Sequence, residues 1–125
     1  MATIKSYTDL QQSKKLAEIL SSETADMEYL AIKENGALVG TVPFAKDDSE
    51  VEDSAYSHTY DRIACWSLAS LLTVLPDYSL QTNTDGTVFV VCESKKSIMS
   101  DAYDNPVDAC YEMIIHLNEL NLLRL

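Results

Sequence analysis

Carboxylates are everywhere in this chain and point to no particular site, but thiols and imidazoles are few: Cys65, Cys92, Cys110, His58 and His116. A catalytic cysteine needs a base within reach and a depressed pKa. Cys110 and His116 are six apart, roughly 240° of rotation on a helix, so a helix turns them to different sides. Spacing allows Cys65 to meet His58, but Cys65 lies in an apolar stretch where burial disfavours a thiolate. The sequence contains no G-x-S-x-G and no C-x-x-C, and its histidines and cysteines match no zinc-ligand spacing. It assigns no catalytic, cofactor-binding or metal-binding residue. The cysteines read as core thiols in a reducing, cytoplasmic compartment.

Hard oxygen ligands are denser. Asp47, Asp48, Glu50, Glu52 and Asp53 crowd together, yet the run lacks the central Gly and terminal Glu spacing of a calcium loop. Like charges this close favour an extended, solvated chain. These residues form a candidate acidic binding loop within a long connection over 43–61, and a loop of that length in a small domain is functional or mobile. Gly36, Gly40 and Gly86 are scattered and build no phosphate loop.

The global charge excludes more than it suggests. Acidic residues number 20 and basic residues 9, for a formal net charge of −11. Clustered Lys and Arg, which phosphate neutralisation and anionic membranes both require, are missing. Neither nucleic acid nor a membrane is expected as a direct partner. The longest charge-free run, Ile63 to Pro76, has 14 residues, against the roughly 20 that span a bilayer. Met1–Lys5 lacks the apolar stretch of a secretion signal. A length of 125 residues suits one domain over 1–125 with a core of its own.

The elements that must position these residues follow from periodicity. Thr8-x-x-Gln11 has the form of a capping box, and Leu10, Leu16, Ala17 and Leu20 make one stripe, which predicts a helix over about 9–20. Residues 27–42 read as a hairpin turning at Asn35-Gly36, with Pro43 ending the second strand or lying on an edge. Residues 62–75 are apolar nearly all round and predict a second helix covered on both sides. Its outer face, Ile63, Trp66 and Val74, is a candidate interface. Residues 78–92 read as a second hairpin turning at 83–86, with Val88–Cys92 a central strand covered on both faces. Ile98-Met99 suggests a further short strand. Asn105-Pro106 opens a last helix over 106–121, a cap residue followed by Pro at the first helical position. The order α-ββ-α-ββ-α predicts an α+β fold with antiparallel hairpins packed on about three helices.

Two blocks carry a resemblance: Cys65-Trp66-Ser67-Leu68 through Leu75-Pro76, and Asn105-Pro106-Val107-Asp108-Ala109-Cys110 through Ile114. Together with Ala25–Tyr29 they resemble small proteins of gut bacteria associated with prophages or mobile elements. That group has no assigned activity, so the resemblance implies a phage-like context and supplies no catalytic residues. The leading expectation is a small non-enzymatic interaction protein that binds a protein partner or itself, as a homodimer for example. An acidic mimic of nucleic acid, occupying a basic host protein, is a second reading. A small enzyme using Cys65 or the 47–53 carboxylates is a third, and requires a concave pocket with perturbed titratable groups.

Overall fold

The computed structural model describes residues 5–46, 59–93 and 97–123. In chain order the elements are α1 (Leu10–Ala17), a 3-10 turn (Ser22–Thr24), β1 (Met27–Glu34), β2 (Ala37–Ala45) and β3 (Thr59–Cys65). There follow α2 (Leu68–Val74), β4 (Tyr78–Thr82), β5 (Val88–Glu93), β6 (Ser97–Met99) and α3 (Pro106–Glu119). The fold is α+β, with two antiparallel three-stranded sheets ordered β2-β1-β3 and β4-β5-β6.

Each sheet grows from a predicted hairpin plus one added strand. Asn35 and Gly36 take positive φ (53° and 81°), the backbone a two-residue hairpin turn requires. Gly86 (φ 89°) does the same service between β4 and β5. β1 and β2 slip register between Ile32 and Lys33, which pair with Gly40 and Leu38, so Val39 is a bulge.

The expected helix over 62–75 is instead two elements. Residues up to Cys65 form β3 and pair with β1, from Lys33↔Thr59 to Met27↔Cys65. The helix starts only after Ser67, whose hydroxyl accepts from the Ser70 N–H at 3.2 Å and caps it. The sequence seemed apolar all round because a strand and a helix were joined on one wheel. The expected 43–61 loop also shrinks: β2 runs through Pro43 to Ala45, and β3 begins at Thr59. Pro43 is tolerated because β2 is an edge strand.

The principal core lies between α1, α2, α3 and the inner face of β5 and β6. Leu16, Trp66, Leu71, Val90, Cys92, Val107, Cys110, Ile114 and Leu117 are wholly excluded from water. Fully burying side chains of this size stabilises by about 1.5–3 kcal/mol each before the entropy cost of ordering the chain. Leu30 and Phe44 form a separate small cluster on the first sheet, with Ile32 half-buried beside them. α3 follows its prediction: Asn105 caps it, its side chain accepting from Asp108 N–H at 2.9 Å, and Pro106 is its first residue. β5 departs from its prediction, since Val90 and Cys92 are buried but Phe89 and Val91 only half so.

Candidate functional site

The residue with the strongest claim to covalent chemistry, Cys65, ends β3 inside a buried hydroxyl network. Thr8 is its centre. The Thr8 N–H donates to the Trp66 carbonyl at 2.9 Å, and its hydroxyl accepts from the Trp66 N–H at 3.1 Å. The Ser13 hydroxyl lies 2.8 Å from that of Thr8, and the Tyr29 hydroxyl donates to the Thr8 carbonyl at 2.7 Å. Cys65 Sγ donates weakly to the same carbonyl at 3.5 Å. Burial pushes the Cys65 thiol above its usual range, and outweighs the hydrogen bonds from Thr8 and Ser13 that act the other way. Burial raises the Tyr29 phenol too. The network fixes the segment before α1 against the β3–α2 junction and keeps the sulfur protonated. It explains why the N-cap of α1 is Asp9 and not Thr8: Asp9 and Gln12 complete the capping box while Thr8 turns inward.

The other two cysteines are equally inert. Burial pushes Cys92 up to about 11, and burial together with neighbouring Cys92 pushes Cys110 up to about 12. All three thiols are free and buried.

Two carboxylates act as fasteners. Asp108, in the first turn of α3, accepts from Lys5 at 2.8 Å, Gln12 at 2.9 Å and Asn105 at 2.9 Å. Burial alone would raise its pKa, but these three donors outweigh it and hold Asp108 below the usual carboxylate value. Burial likewise opposes the Lys5 ammonium, and its bonds to Asp108 and Asp9 prevail and raise it. Asp26 is held low in the same way by the Ser67 hydroxyl and N–H, which outweigh its burial. Elsewhere Glu28 pairs with Arg62, Asp61 with Lys33 and Glu18 with Lys15.

A cleft of about 210 Å³ between β6 and α3 holds Asp101, Tyr103, Glu112 and His116. Burial, and then the negative charge of Glu112 and Asp101, raise the Tyr103 phenol, so it is held protonated rather than poised as a base. Cys65 does not belong to this cleft, and His58 lies outside the described residues. Among the described residues no cluster of three or more His, Cys, Asp or Glu could hold a metal ion, and no helix is long and apolar enough to cross a membrane.

The sheet edges differ from one another. An edge strand exposes a row of N–H and C=O groups, and proteins guard it with charge, Pro, bulges or brevity. β2 carries Pro43 and the Val39 bulge, β3 carries Asp61 and Arg62, and β6 has three residues. β4, Tyr78-Ser79-Leu80-Gln81-Thr82, has none of these devices and every residue in it is exposed. Which of its backbone groups face outward follows from the ladder. The Glu93 N–H donates to the Asp77 carbonyl at 2.9 Å and the Asn83 N–H to the Thr87 carbonyl at 2.7 Å. Bonded and non-bonded pairs alternate along an antiparallel ladder. Ser79 and Gln81 therefore bond β5, and Tyr78, Leu80 and Thr82 turn their N–H and C=O groups to the open edge. Tyr78 and Leu80 are also large apolar side chains left 42% and 37% exposed.

The candidate interface read from sequence does not assemble. Trp66 is 0% exposed and its indole N–H donates to Thr24 Oγ1 at 2.9 Å, so no partner can reach it. Ile63 is half-buried on β3 and Val74 half-buried on α2 against the core, so the three do not lie on one helix. Asp47, Asp48, Glu50, Glu52 and Asp53 lie outside the described residues. The β4 edge was available in the sequence as five consecutive uncharged residues without Gly or Pro beside a central strand, but which strand ends a sheet is not written in that pattern. Comparison with protein-family models, curated proteins and solved structures finds no match for the chain.

Proposed function

We propose that this chain is a small interaction protein that binds a partner by strand addition at the β4 edge, without catalysis, in the phage or mobile-element context its two sequence blocks resemble. One observation carries the reading: among the described residues, of the strands that end a sheet, β4 alone combines regular pairing, full exposure and no guarding residue. In strand addition the main chain provides affinity, and alternate side chains provide selectivity. Here Tyr78, Leu80 and Thr82 present both the free backbone groups and an apolar row.

The test is residue-resolved amide exchange on isotope-labelled protein, dilute and then in concentrated unlabelled lysate of the source cell. Strand addition protects the amides of Tyr78, Leu80 and Thr82 selectively, while Ser79 and Gln81, already bonded to β5, change little. If those three amides exchange at the unprotected rate in both settings, the edge has no partner there and the proposal is lost.

A further inference from the structure

The β4 edge also indicates what it pairs with. Resting on the strand-addition reading, we propose that the partner is a second copy of this chain, its β4 antiparallel to the first about a two-fold axis through Leu80. The β4-β5-β6 sheets of the two copies then become one continuous sheet, β6-β5-β4-β4-β5-β6.

Three features of the strand fit this register. The first is hydrogen bonding. The axis places Leu80 opposite Leu80, and Tyr78 opposite Thr82 at both ends, and these are the residues whose N–H and C=O groups face outward. Each such pair exchanges two N–H···O=C bonds, so no outward group of the strand is left without a partner. A register displaced by one residue would set outward groups of one strand against the inward-bonded Ser79 and Gln81 of the other.

The second is side-chain placement. Tyr78, Leu80 and Thr82 pair across the existing ladder with Cys92, Val90 and Val88, the inner-face residues of β5. Their side chains therefore stand on the core side of the sheet, where the apolar layer stops at the rim. A second copy extends that layer, with Leu80 against Leu80 and the Tyr78 ring against the Thr82 methyl, as cross-strand pairs that stabilise sheets.

The third is charge. A chain of net charge −11 meets its own copy at a disadvantage unless the contact excludes like pairs. β4 carries no charge, and the register sets Asp77 opposite Asn83, so carboxylate never faces carboxylate directly. A two-fold interface must be self-complementary in this sense. The guarded edges offer no such regular, uncharged seam: β2 would bring in Pro43 and a bulge, and β3 would bring in Asp61 and Arg62.

Sedimentation of the full chain across a concentration series, with amide exchange at the same concentrations, tests the proposal. The expected result is a reversible monomer–dimer equilibrium in which the Tyr78, Leu80 and Thr82 amides gain protection with protein concentration in purified protein alone. Leu80→Lys sets two ammonium groups opposite each other and should weaken the dimer by about 100-fold or more. Leu80→Pro removes only an outward N–H and should also give monomer. Unchanged far-ultraviolet circular dichroism in at least one of the two variants separates lost pairing from lost folding. Purified protein that stays monomeric at every concentration overturns the proposal, as does a dimer that survives both substitutions. Protection that appears in lysate but never in purified protein overturns self-pairing and leaves the strand-addition reading standing; protection in neither removes both.

Discussion

Replacing Trp66 by Phe separates the two roles open to that residue, a pillar of the core or a contact for a partner. In the structure the indole is wholly buried, at the point where the chain leaves β3 for α2, and its N–H donates to Thr24 Oγ1 at 2.9 Å. Three losses follow from the substitution. Shrinking the ring vacates on the order of 40 Å³, and at about 24 cal/mol per Å³ of residual cavity that costs about 1 kcal/mol. The apolar area no longer buried costs about 1 kcal/mol more. The missing hydrogen bond costs about another 1 kcal/mol, moderated because the Thr24 hydroxyl still donates to the Ser21 carbonyl at 2.7 Å. The total is about 2–3 kcal/mol, a sizeable fraction of the 5–15 kcal/mol typical of a domain. The assay is urea unfolding followed by far-ultraviolet circular dichroism, since the substitution removes the chain's single tryptophan. A second measurement uses wild-type fluorescence, which should be blue-shifted and resist quenching by iodide. A loss below about 0.5 kcal/mol with an unchanged denaturant slope, or ready iodide quenching, would refute the reasoning, because neither is compatible with a wholly buried indole.

Further outcomes follow from other parts of the molecule. Asp108 and Asp26 have lowered pKa values in the fold, so the stability they contribute is complete above the unfolded carboxylate value near 4 and is lost as pH falls through the folded value. Lys5 is raised, so its share is complete below about 10.5 and lost at higher pH. Asp108→Asn should cost about 1–2 kcal/mol at neutral pH and flatten the fall of the urea midpoint between about pH 5 and pH 3; an unaltered acid limb would mean that Asp108 does not fasten α3. Cys65, Cys92 and Cys110 should resist alkylation in the native protein and react only as fast as it opens; mass spectrometry showing rapid modification of any one would contradict its burial. Gly36→Ala meets no neighbouring atom within 4 Å but must hold φ near +81°, so it should cost about 1 kcal/mol in a thermal melt through backbone strain alone.

Whether a segment could be read from sequence depended on whether one local signal spoke for it. α3 was clear because Asn105, Pro106 and Asp108 mark its start and its apolar residues keep a single period. The hairpins were clear because Asn35, Gly36 and Gly86 supply the positive φ that their turns require. The stretch 62–75 imitates a single helix because its apolar run spans two periods, alternating through Ile63 and Cys65 and then helical from Leu68. Ser67, which caps the helix and binds Asp26, was the available signal, and it sat unmarked within a run otherwise free of charge. Around Thr8 two overlapping capping patterns existed, Thr8-x-x-Gln11 and Asp9-x-x-Gln12. The choice between them is made by Trp66, 58 positions away, which draws Thr8 inward. The β4 edge is a fact of sheet order, and sheet order is a long-range property that no window of residues contains.

The same long-range property gives the net charge a consequence. Two copies of −11 brought to a centre separation of about 30 Å, on the scale of a domain this size, repel by roughly 17 kcal/mol in pure water. At 0.01 M salt the Debye length is about 30 Å, and screening leaves roughly a third of that; at 0.15 M it is about 8 Å and leaves a few per cent. The repulsion therefore falls by on the order of 5 kcal/mol between the two, while the hydrogen bonds and apolar contacts of an uncharged seam hardly change. Self-pairing through β4 should tighten steeply with salt, by several powers of ten in dissociation constant across that range. A basic partner strand on the same edge would behave oppositely, losing affinity as salt screens its attraction to the acidic body. The sign of the salt dependence, read from sedimentation at fixed protein concentration, thus identifies the occupant independently of any substitution. An affinity that falls with salt would exclude the second copy, however well its register fits.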